Sequence, residues 1–185
     1  MSKEMDEFKE WCEKLSDFNV GKWEEWPDIN LYMDQVISYL DKYMSYFRIY
    51  DDEKMITPSI INNNTKDGVL PKPVKKKYSR TLLSTLLMFC ITRQVLSGRE
   101  LYTMLGELTE SEDFAEIHKS FGDTLEQQLK NTLEQIEADT NNFEIDDRQQ
   151  LAWIAMKLSL EAFSSGIMAR KLLSELEIPD EQKVK

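Results

Sequence analysis

The chain has 185 residues, of which 41% are hydrophobic and 31% are charged, with only 6 glycines and 5 prolines. This length suits one ordinary core or two small lobes, and this composition excludes a chain that is disordered throughout. The formal net charge is −11, yet residues 55–99 carry eight Lys or Arg against a single Asp. The positive charge is therefore concentrated in one segment, and that position needs an explanation.

The sequence contains no segment typical of a membrane span or a secretion signal. The longest apolar-rich stretch, "LAWIAMKLSLEAFSSGIMA", is interrupted by Lys157 and Glu161, and the N-terminus "MSKEMDEFKE" lacks an apolar centre. Cys12 and Cys90 each have apolar neighbours at helical spacing, which favours reduced core thiols over a disulfide. We therefore expect a cytoplasmic protein that does not enter a membrane.

The N-terminal third of the sequence predicts two helices. Apolar residues recur every three or four positions from Lys3 to about Phe18, and Gly21 ends this first pattern. A connector with two tryptophans follows, "GKWEEWPD". The same period then runs from about Ile29 to Tyr50, which predicts a second and longer helix.

A short third helix is predicted between a hydroxyl cap followed by proline, Thr57 and Pro58, and Gly68, which suits the left-handed residue after a last turn. One face of this helix carries four hydrogen-bonding side chains: Ser59, Asn62, Asn63 and Lys66. A short helix that only packs on a core does not need such a face.

The basic segment "VLPKPVKKKYSR", residues 69–80, comes next. It contains two prolines and is too polar for a core strand, which predicts an exposed hairpin or loop. Its cationic residues are Lys72, Lys75, Lys76, Lys77 and Arg80.

The following helix is expected at the centre of the fold. Ser79 caps it, and the run "RTLLSTLLMFCITRQVL" leaves it little polar face. Ser97 and Glu100 then form a capping box that starts a brief helix, which Gly106 is expected to end.

Two long helical patterns complete the chain. The first is marked by apolar residues from Phe114 to Ile136, and the second runs from Leu151 to Leu176. Antiparallel packing of the two gives a helical hairpin. Alanine, serine and glycine residues in the second pattern allow unusually close helix contact.

The sequence offers little support for an enzyme. Its one histidine, His118, lies in an amphipathic pattern without an evident orienting partner, so we expect a surface or boundary residue. There is no phosphate-binding glycine loop, no paired Cys-x-x-Cys and no His–carboxylate metal spacing. We predict no catalytic residue, no metal and no cofactor.

Two interpretations of the positive segment stay open. In the first, the cations of residues 69–80 neutralise DNA phosphates while the polar helix face reaches the bases, where asparagine can bond adenine at two atoms. In the second, the lysines only keep an exposed loop soluble. The polar helix directly before the lysines favours DNA binding, and the acidic remainder of the chain would confine DNA to this surface.

Residues 26 to about 105 resemble a bacterial family known only as a domain of unknown function. The resemblance rests on "WPDINLYMDQVISYLDKYM" and on "MITPSIINNNTKDGVLPKPVKKKYSRTLLSTLLMFCITRQVLSGRELYTML". The combination of Pro-Asp-x-x-Leu-Tyr-x-Asp-Gln, an Asn-Asn helix and Pro-x-Pro-x-Lys-Lys-x-Tyr-Ser is specific. The family implies no activity.

The same segment is more distantly similar to the MerR-type winged helix. There a short recognition helix ends in Gly-Leu-Leu-Pro, and a basic wing ends in a tyrosine; here "DGVLPKP" and "KKKYSR" stand in those places. The resemblance implies that residues 58–67 are the recognition helix, with Asn62 where MerR proteins often carry an arginine, and that Tyr78 belongs to the wing contacts. In MerR proteins a long helix after the winged domain pairs two subunits, so the resemblance implies that the 112–176 hairpin could form a homodimer. The hairpin could instead hold a small-molecule effector between helices whose small residues leave room, or simply complete the core of the monomer.

We therefore expect an all-α chain with a MerR-like winged helix-turn-helix and a C-terminal helical hairpin. The expected divisions are an N-terminal helix and connector (1–27), the winged domain (28–108), the hairpin (109–178) and a flexible tail (179–185). The expected function is a DNA-binding transcriptional regulator that acts on double-stranded DNA. The alternative is a non-enzymatic adaptor that keeps a winged fold to bind a protein.

Overall fold

A computed structural model describes residues 3–50, 52–141 and 148–176. Within these ranges the chain is all-α, and the predicted tail at 179–185 lies outside them. The described residues form seven α-helices: α1 (Lys3–Ser16), α2 (Met33–Met44), α3 (Pro58–Lys66), α4 (Arg80–Thr92), α5 (Gly98–Thr109), α6 (Phe114–Asn141) and α7 (Arg148–Leu176). Short 3-10 turns lie at Trp23–Glu25 and Ser45–Phe47.

Helix α4 is the centre of the fold, as predicted. Every residue from 82 to 90 is buried, and α2, α5 and α6 pack around this helix. Burial raises the pKa of the Cys90 thiol to about 12, so this cysteine is the protonated core thiol that its apolar neighbours predict.

Helix α2 is shorter than the predicted span from Ile29 to Tyr50. It begins only at Met33 because the backbone before it is extended and pairs with a distant residue. The Leu31 N–H donates to the Tyr78 carbonyl at 3.0 Å, and the Tyr78 N–H donates to the Leu31 carbonyl at 2.9 Å. This bridge ties the segment before α4 to the start of α2.

The predicted helix caps are confirmed. Thr57 and Ser79 each accept a hydrogen bond from the backbone N–H three residues on, at 3.2 and 3.3 Å. Ser97 and Glu100 form the reciprocal capping box, in which the Ser97 N–H donates to the Glu100 carboxylate at 2.6 Å. These starts depend only on local hydrogen bonds, which is why the sequence predicts them well.

The predicted stop at Gly106 is wrong, because α5 continues to Thr109. A glycine inside a helix costs about 1 kcal/mol relative to alanine. Leu101 and Leu105 of the same helix are buried in the core. Their packing outweighs that cost.

The two C-terminal helices have different surroundings. Helix α6 packs on α1, α4 and α5, whereas α7 packs on α5. Near the connection, α7 meets α6 through polar pairs: Lys157 Nζ lies 2.9 Å from Asp139, and the Gln135 amide donates to Glu161 at 2.9 Å. No helix in the described residues is both long and apolar enough to cross a bilayer.

One small residue of α7 lies in a close contact, at Gly166. Val95 packs over Gly166, which is buried. The alanines at 152, 155 and 162 are exposed instead. Small side chains permit a close approach but do not by themselves bring a partner helix.

Candidate nucleic-acid interface

Helix α3 presents its polar face to solvent. Ile61 is buried and fixes the helix to the core, while Ser59, Asn62, Asn63 and Lys66 are all exposed. The third asparagine of the run behaves differently, because the Asn64 amide donates to a carbonyl of its own helix at 2.8 Å. The open amide groups are therefore those of Asn62 and Asn63.

The chain leaves α3 through Gly68, whose φ of +82° is left-handed. Such a φ is favourable for glycine and strained for other residues. Just beyond it, the Leu70 N–H donates to the Asn64 carbonyl at 3.1 Å, and the Leu70 side chain is buried. This anchor fixes the chain directly after α3.

Residues 74–77 form a tight turn, which we call the basic turn. The Lys77 N–H donates to the Val74 carbonyl at 3.0 Å, and the two residues form an isolated antiparallel bridge. Lys75 and Lys76 have φ of +51° and +64°, the signs of a type I′ turn. Asn-Gly is the usual pair there, because a left-handed conformation costs other residues roughly 1–2 kcal/mol each. Two exposed lysines are thus held in a strained conformation.

The predicted β-hairpin wing is not found. The described residues contain no β-strand, and the hairpin is reduced to the basic turn with its single bridge. The start of α4 explains this outcome, because Ser79 already caps that helix and the one residue between it and the turn, Tyr78, pairs its backbone with Leu31 instead. A MerR-like winged helix is therefore not confirmed.

Lys72 and Lys77 flank the strained pair. Lys72 is exposed, and Lys77 is half-buried with its Nζ 5.1 Å from the centre of the Tyr32 ring. The neighbouring Tyr78 is only 3% exposed, and its hydroxyl lies 3.9 Å from the Met33 sulfur. The structure therefore places Tyr78 in the core rather than beside the exposed lysines.

Arg80 is also committed to internal contacts. Its Nε donates to the Pro27 carbonyl at 3.2 Å, and its guanidinium lies 5.3 Å from the Trp23 ring centre. Arg80 thus joins the N-terminus of α4 to the tryptophan connector. Sequence reasoning missed this role because the partners are more than fifty residues away in the chain.

The remaining polar and cationic residues form what we call the basic surface: Ser59, Asn62, Asn63, Lys66, Lys72, Lys75, Lys76 and Lys77. Among the described residues, none of its lysines lies within 4.0 Å of a carboxylate. Lysines elsewhere do form ion pairs, such as Lys157 with Asp139. The charge of the basic surface is therefore not neutralised by an ion pair within the described structure.

His118 is buried, so its predicted place at the surface or boundary is wrong. Its Nδ1 accepts a hydrogen bond from the Ser84 hydroxyl at 2.8 Å, and its Nε2 donates to the Gly21 carbonyl at 3.1 Å, a neutral tautomer inferred from these partners. The Trp23 and Trp26 rings flank it. Burial lowers the pKa of His118, against smaller opposite effects of Gly21 and Glu24. The residue joins the connector, α4 and α6.

A groove of about 960 Å³ lies between α1 and α6. Apolar residues such as Phe8, Leu15 and Leu133 line it, with several carboxylates beside them. The expected effector site lay between α6 and α7 instead. The groove gives a small molecule a different location, and the binding of an effector stays a prediction.

Comparison with known proteins gives one finding. A family model described as "Domain of unknown function (DUF1836)" matches residues 21–124, a wider range than the predicted 26–105. It covers the connector, α2 to α5 and the first part of α6. No curated protein and no solved structure matches the chain, and nothing links it to the MerR proteins.

Proposed function

This chain belongs to the DUF1836 family, and we propose that it is a transcriptional regulator that binds double-stranded DNA through the basic surface. The observation that carries this proposal is a set of exposed lysines without ion-pair partners among the described residues, in the segment that directly follows a helix with an exposed face of open amides. Phosphate neutralisation by lysine supplies most of the affinity of such proteins, and amides can read bases.

The contacts divide between phosphates and bases. Lys72, Lys75 and Lys76 are exposed and bind phosphate oxygens, while half-buried Lys77 reaches the backbone from the edge of the turn. On α3, Asn62 and Asn63 face base edges in the major groove, where an asparagine amide can bond adenine at N6 and N7. Ser59 and Lys66 complete this face. Tyr78 and Arg80 have no part in the contact because their side chains are engaged inside the protein.

The acidic remainder of the chain supports a single docking orientation. Residues 1–54 carry fourteen Asp or Glu against seven Lys or Arg, and residues 100–185 carry nineteen against eight. Both regions repel the phosphate backbone, whereas the basic surface attracts it. Repulsion and attraction therefore turn the same side of the protein towards DNA.

We also propose that α2, α3 and the basic turn act as a reduced winged helix-turn-helix. Helix α2 packs against α3, and the bridge between Leu31 and Tyr78 fixes the basic turn to the start of α2. In this arrangement α3 is the recognition helix, and the turn takes the place of a wing. The strain at Lys75 and Lys76 is consistent with selection for charge at this point rather than for stability.

The experiment is a DNA titration at several salt concentrations. A variant with Lys72, Lys75 and Lys76 replaced by alanine should lower the slope of log affinity against log salt by about 0.9 for each lost phosphate contact. The matched control replaces three exposed lysines on α1 and α6, which we call the remote lysines: Lys14, Lys119 and Lys130. The control changes the net charge equally, so its slope should stay near that of the wild type. Equal slopes in all three proteins would contradict the proposal.

The rival is the adaptor that binds a protein partner. It predicts that purified protein does not bind random duplex DNA at low salt and micromolar concentration, where a DNA-binding domain binds without sequence preference. If DNA is bound, selection from a random pool then identifies the preferred sequence.

A further inference from the structure

Helix α7 carries an uncovered apolar face. Of the sixteen large apolar side chains that are exposed in the described residues, nine lie on this helix. Contiguous apolar surface of more than a few hundred Å² on a soluble protein marks an interaction site. A partner for α7 is therefore expected, and the pattern of the exposed residues indicates which kind.

Five of these residues are spaced as in a helix-pairing seam, and we call them the α7 seam: Trp153, Met156, Leu160, Phe163 and Ile167. The alternating steps of three and four residues are the heptad pattern of two helices that pack along their length. At about 100° per residue they fall within an arc of about 80°. The face that α7 turns towards its own protein, with Gly166 and Leu173 buried, lies about 110° away by the same geometry.

We infer that the α7 seam pairs with the α7 seam of a second copy of this chain, with the two helices antiparallel about Leu160. Trp153 of one copy then packs against Ile167 of the other, and the two Leu160 side chains meet at the two-fold axis. Such an interface is self-complementary, as the interface of a two-fold homodimer must be. It requires no partner other than the chain itself.

The size of the seam fits a stable dimer. Its side chains are 43% to 68% exposed, which at about 200 Å² for a large side chain presents about 550 Å² per protomer. Two such faces together present about 1,100 Å², which is close to the lower limit of about 1,200 Å² for a stable interface.

The charges at the end of the seam favour the antiparallel direction. The next seam position after Ile167 is Arg170, which is held in place by the Val95 carbonyl at 2.9 Å and by Glu100 at 3.6 Å. Parallel pairing in register would set the two Arg170 guanidinium groups against each other, and like charges across an interface are unfavourable. Antiparallel pairing places them at opposite ends.

The test is the mass of the full chain in solution, measured without DNA by sedimentation equilibrium. The wild type should have twice the 21.8 kDa of one chain, and Leu160→Glu should be a monomer. Leu172→Glu is the matched control, because Leu172 is more exposed than Leu160, 70% against 56%, but lies outside the seam. It should remain a dimer. A monomeric wild type, a dimeric Leu160→Glu or a monomeric Leu172→Glu would overturn the inference.

Disulfide trapping tests the direction of pairing and does not depend on the glutamate variants. In a Cys12→Ser background, Trp153→Cys and Ile167→Cys proteins should crosslink when mixed and not when each is oxidised alone. Crosslinking of each protein with itself, and not of the mixture, would overturn the antiparallel arrangement. Because neither experiment contains DNA, failure here leaves the proposed DNA binding intact, and the reverse also holds.

Discussion

Helices α4 and α7 are both rich in apolar residues, but only α4 is covered by protein. Residues 82–90 of α4 are all buried, whereas α7 has Gly166 and Leu173 as its buried residues. The family match ends at residue 124, so α4 belongs to the DUF1836 domain and α7 lies beyond it. An apolar pattern alone therefore does not make a core helix, because what covers the helix depends on the rest of the assembly.

Truncation of one leucine in each helix gives the largest expected difference. Leu86→Ala leaves a cavity at a fully buried position of α4 and should lower the free energy of unfolding by about 2–5 kcal/mol. Leu160→Ala in α7 should change it by less than about 1 kcal/mol in the monomer. Urea unfolding at concentrations too low for pairing measures both. Equal losses would break the contrast between the helices.

The caps and the central helix could be predicted from sequence because their causes are local. A hydroxyl three residues before a backbone N–H is enough to predict a helix start. A run of leucines without a polar face is enough to predict a buried helix. The burial of His118 and the inward position of Arg80 could not be predicted, because their partners at Gly21, Ser84 and Pro27 are distant in sequence.

The candidate site was predicted in part for the same reason. The exposed face of α3 follows from helical spacing, and the exposed lysines follow from their polarity. The absence of a β-hairpin could not be predicted, because the backbone of Tyr78 pairs with the distant Leu31 and α4 begins directly afterwards. The exposure of α7 could not be predicted, because its pattern is the same whether its partner lies within the chain or outside it.

The two lysines of the basic turn should lower the stability of the fold and strengthen DNA binding, because both have left-handed backbone conformations and both carry positive charge. Lys75→Asn with Lys76→Gly places the usual residues at the two left-handed positions. The free energy of unfolding should rise by about 1–2 kcal/mol, while the salt slope of DNA binding falls by about 0.9 per lysine. Urea unfolding and the DNA titration measure the two effects.

Lys72→Ala is the control for this trade. It should lower the salt slope of DNA binding by about 0.9, as the loss of Lys75 or Lys76 alone would. Its free energy of unfolding should stay within about 0.5 kcal/mol of the wild-type value. A double variant less stable than the wild type would mean that the two lysines are not strained.

His118 belongs to the buried region around α4, because its hydrogen-bond partner Ser84 lies on that helix. Burial lowers the pKa of His118 from the ordinary 6.5. Just below pH 6.5, the histidine of the unfolded chain is therefore protonated while that of the folded chain is still neutral. Stability is therefore complete above pH 6.5 and is lost as the pH falls towards the folded pKa. The chain has no other histidine, so His118→Gln should flatten this pH dependence in urea unfolding. A wild type that gains stability on mild acidification would contradict the assignment.

The smallest effect on stability is expected at an exposed ion pair of α7. Lys171 and Glu175 of α7 form an exposed ion pair one helical turn apart. Lys171→Ala should change the free energy of unfolding by no more than about 0.5 kcal/mol, because exposed pairs gain little and are screened by salt. A loss of several kcal/mol in the monomer would mean that α7 is more tightly integrated than its exposure indicates.

The most direct measurement for the basic surface is lysine acetylation of the wild-type protein with and without duplex DNA, read by mass spectrometry. Bound DNA should protect Lys66, Lys72, Lys75 and Lys76 and leave the remote lysines as reactive as in the free protein. Equal protection of both groups, or protection of the remote lysines alone, would contradict the claim that this surface is the one that meets DNA.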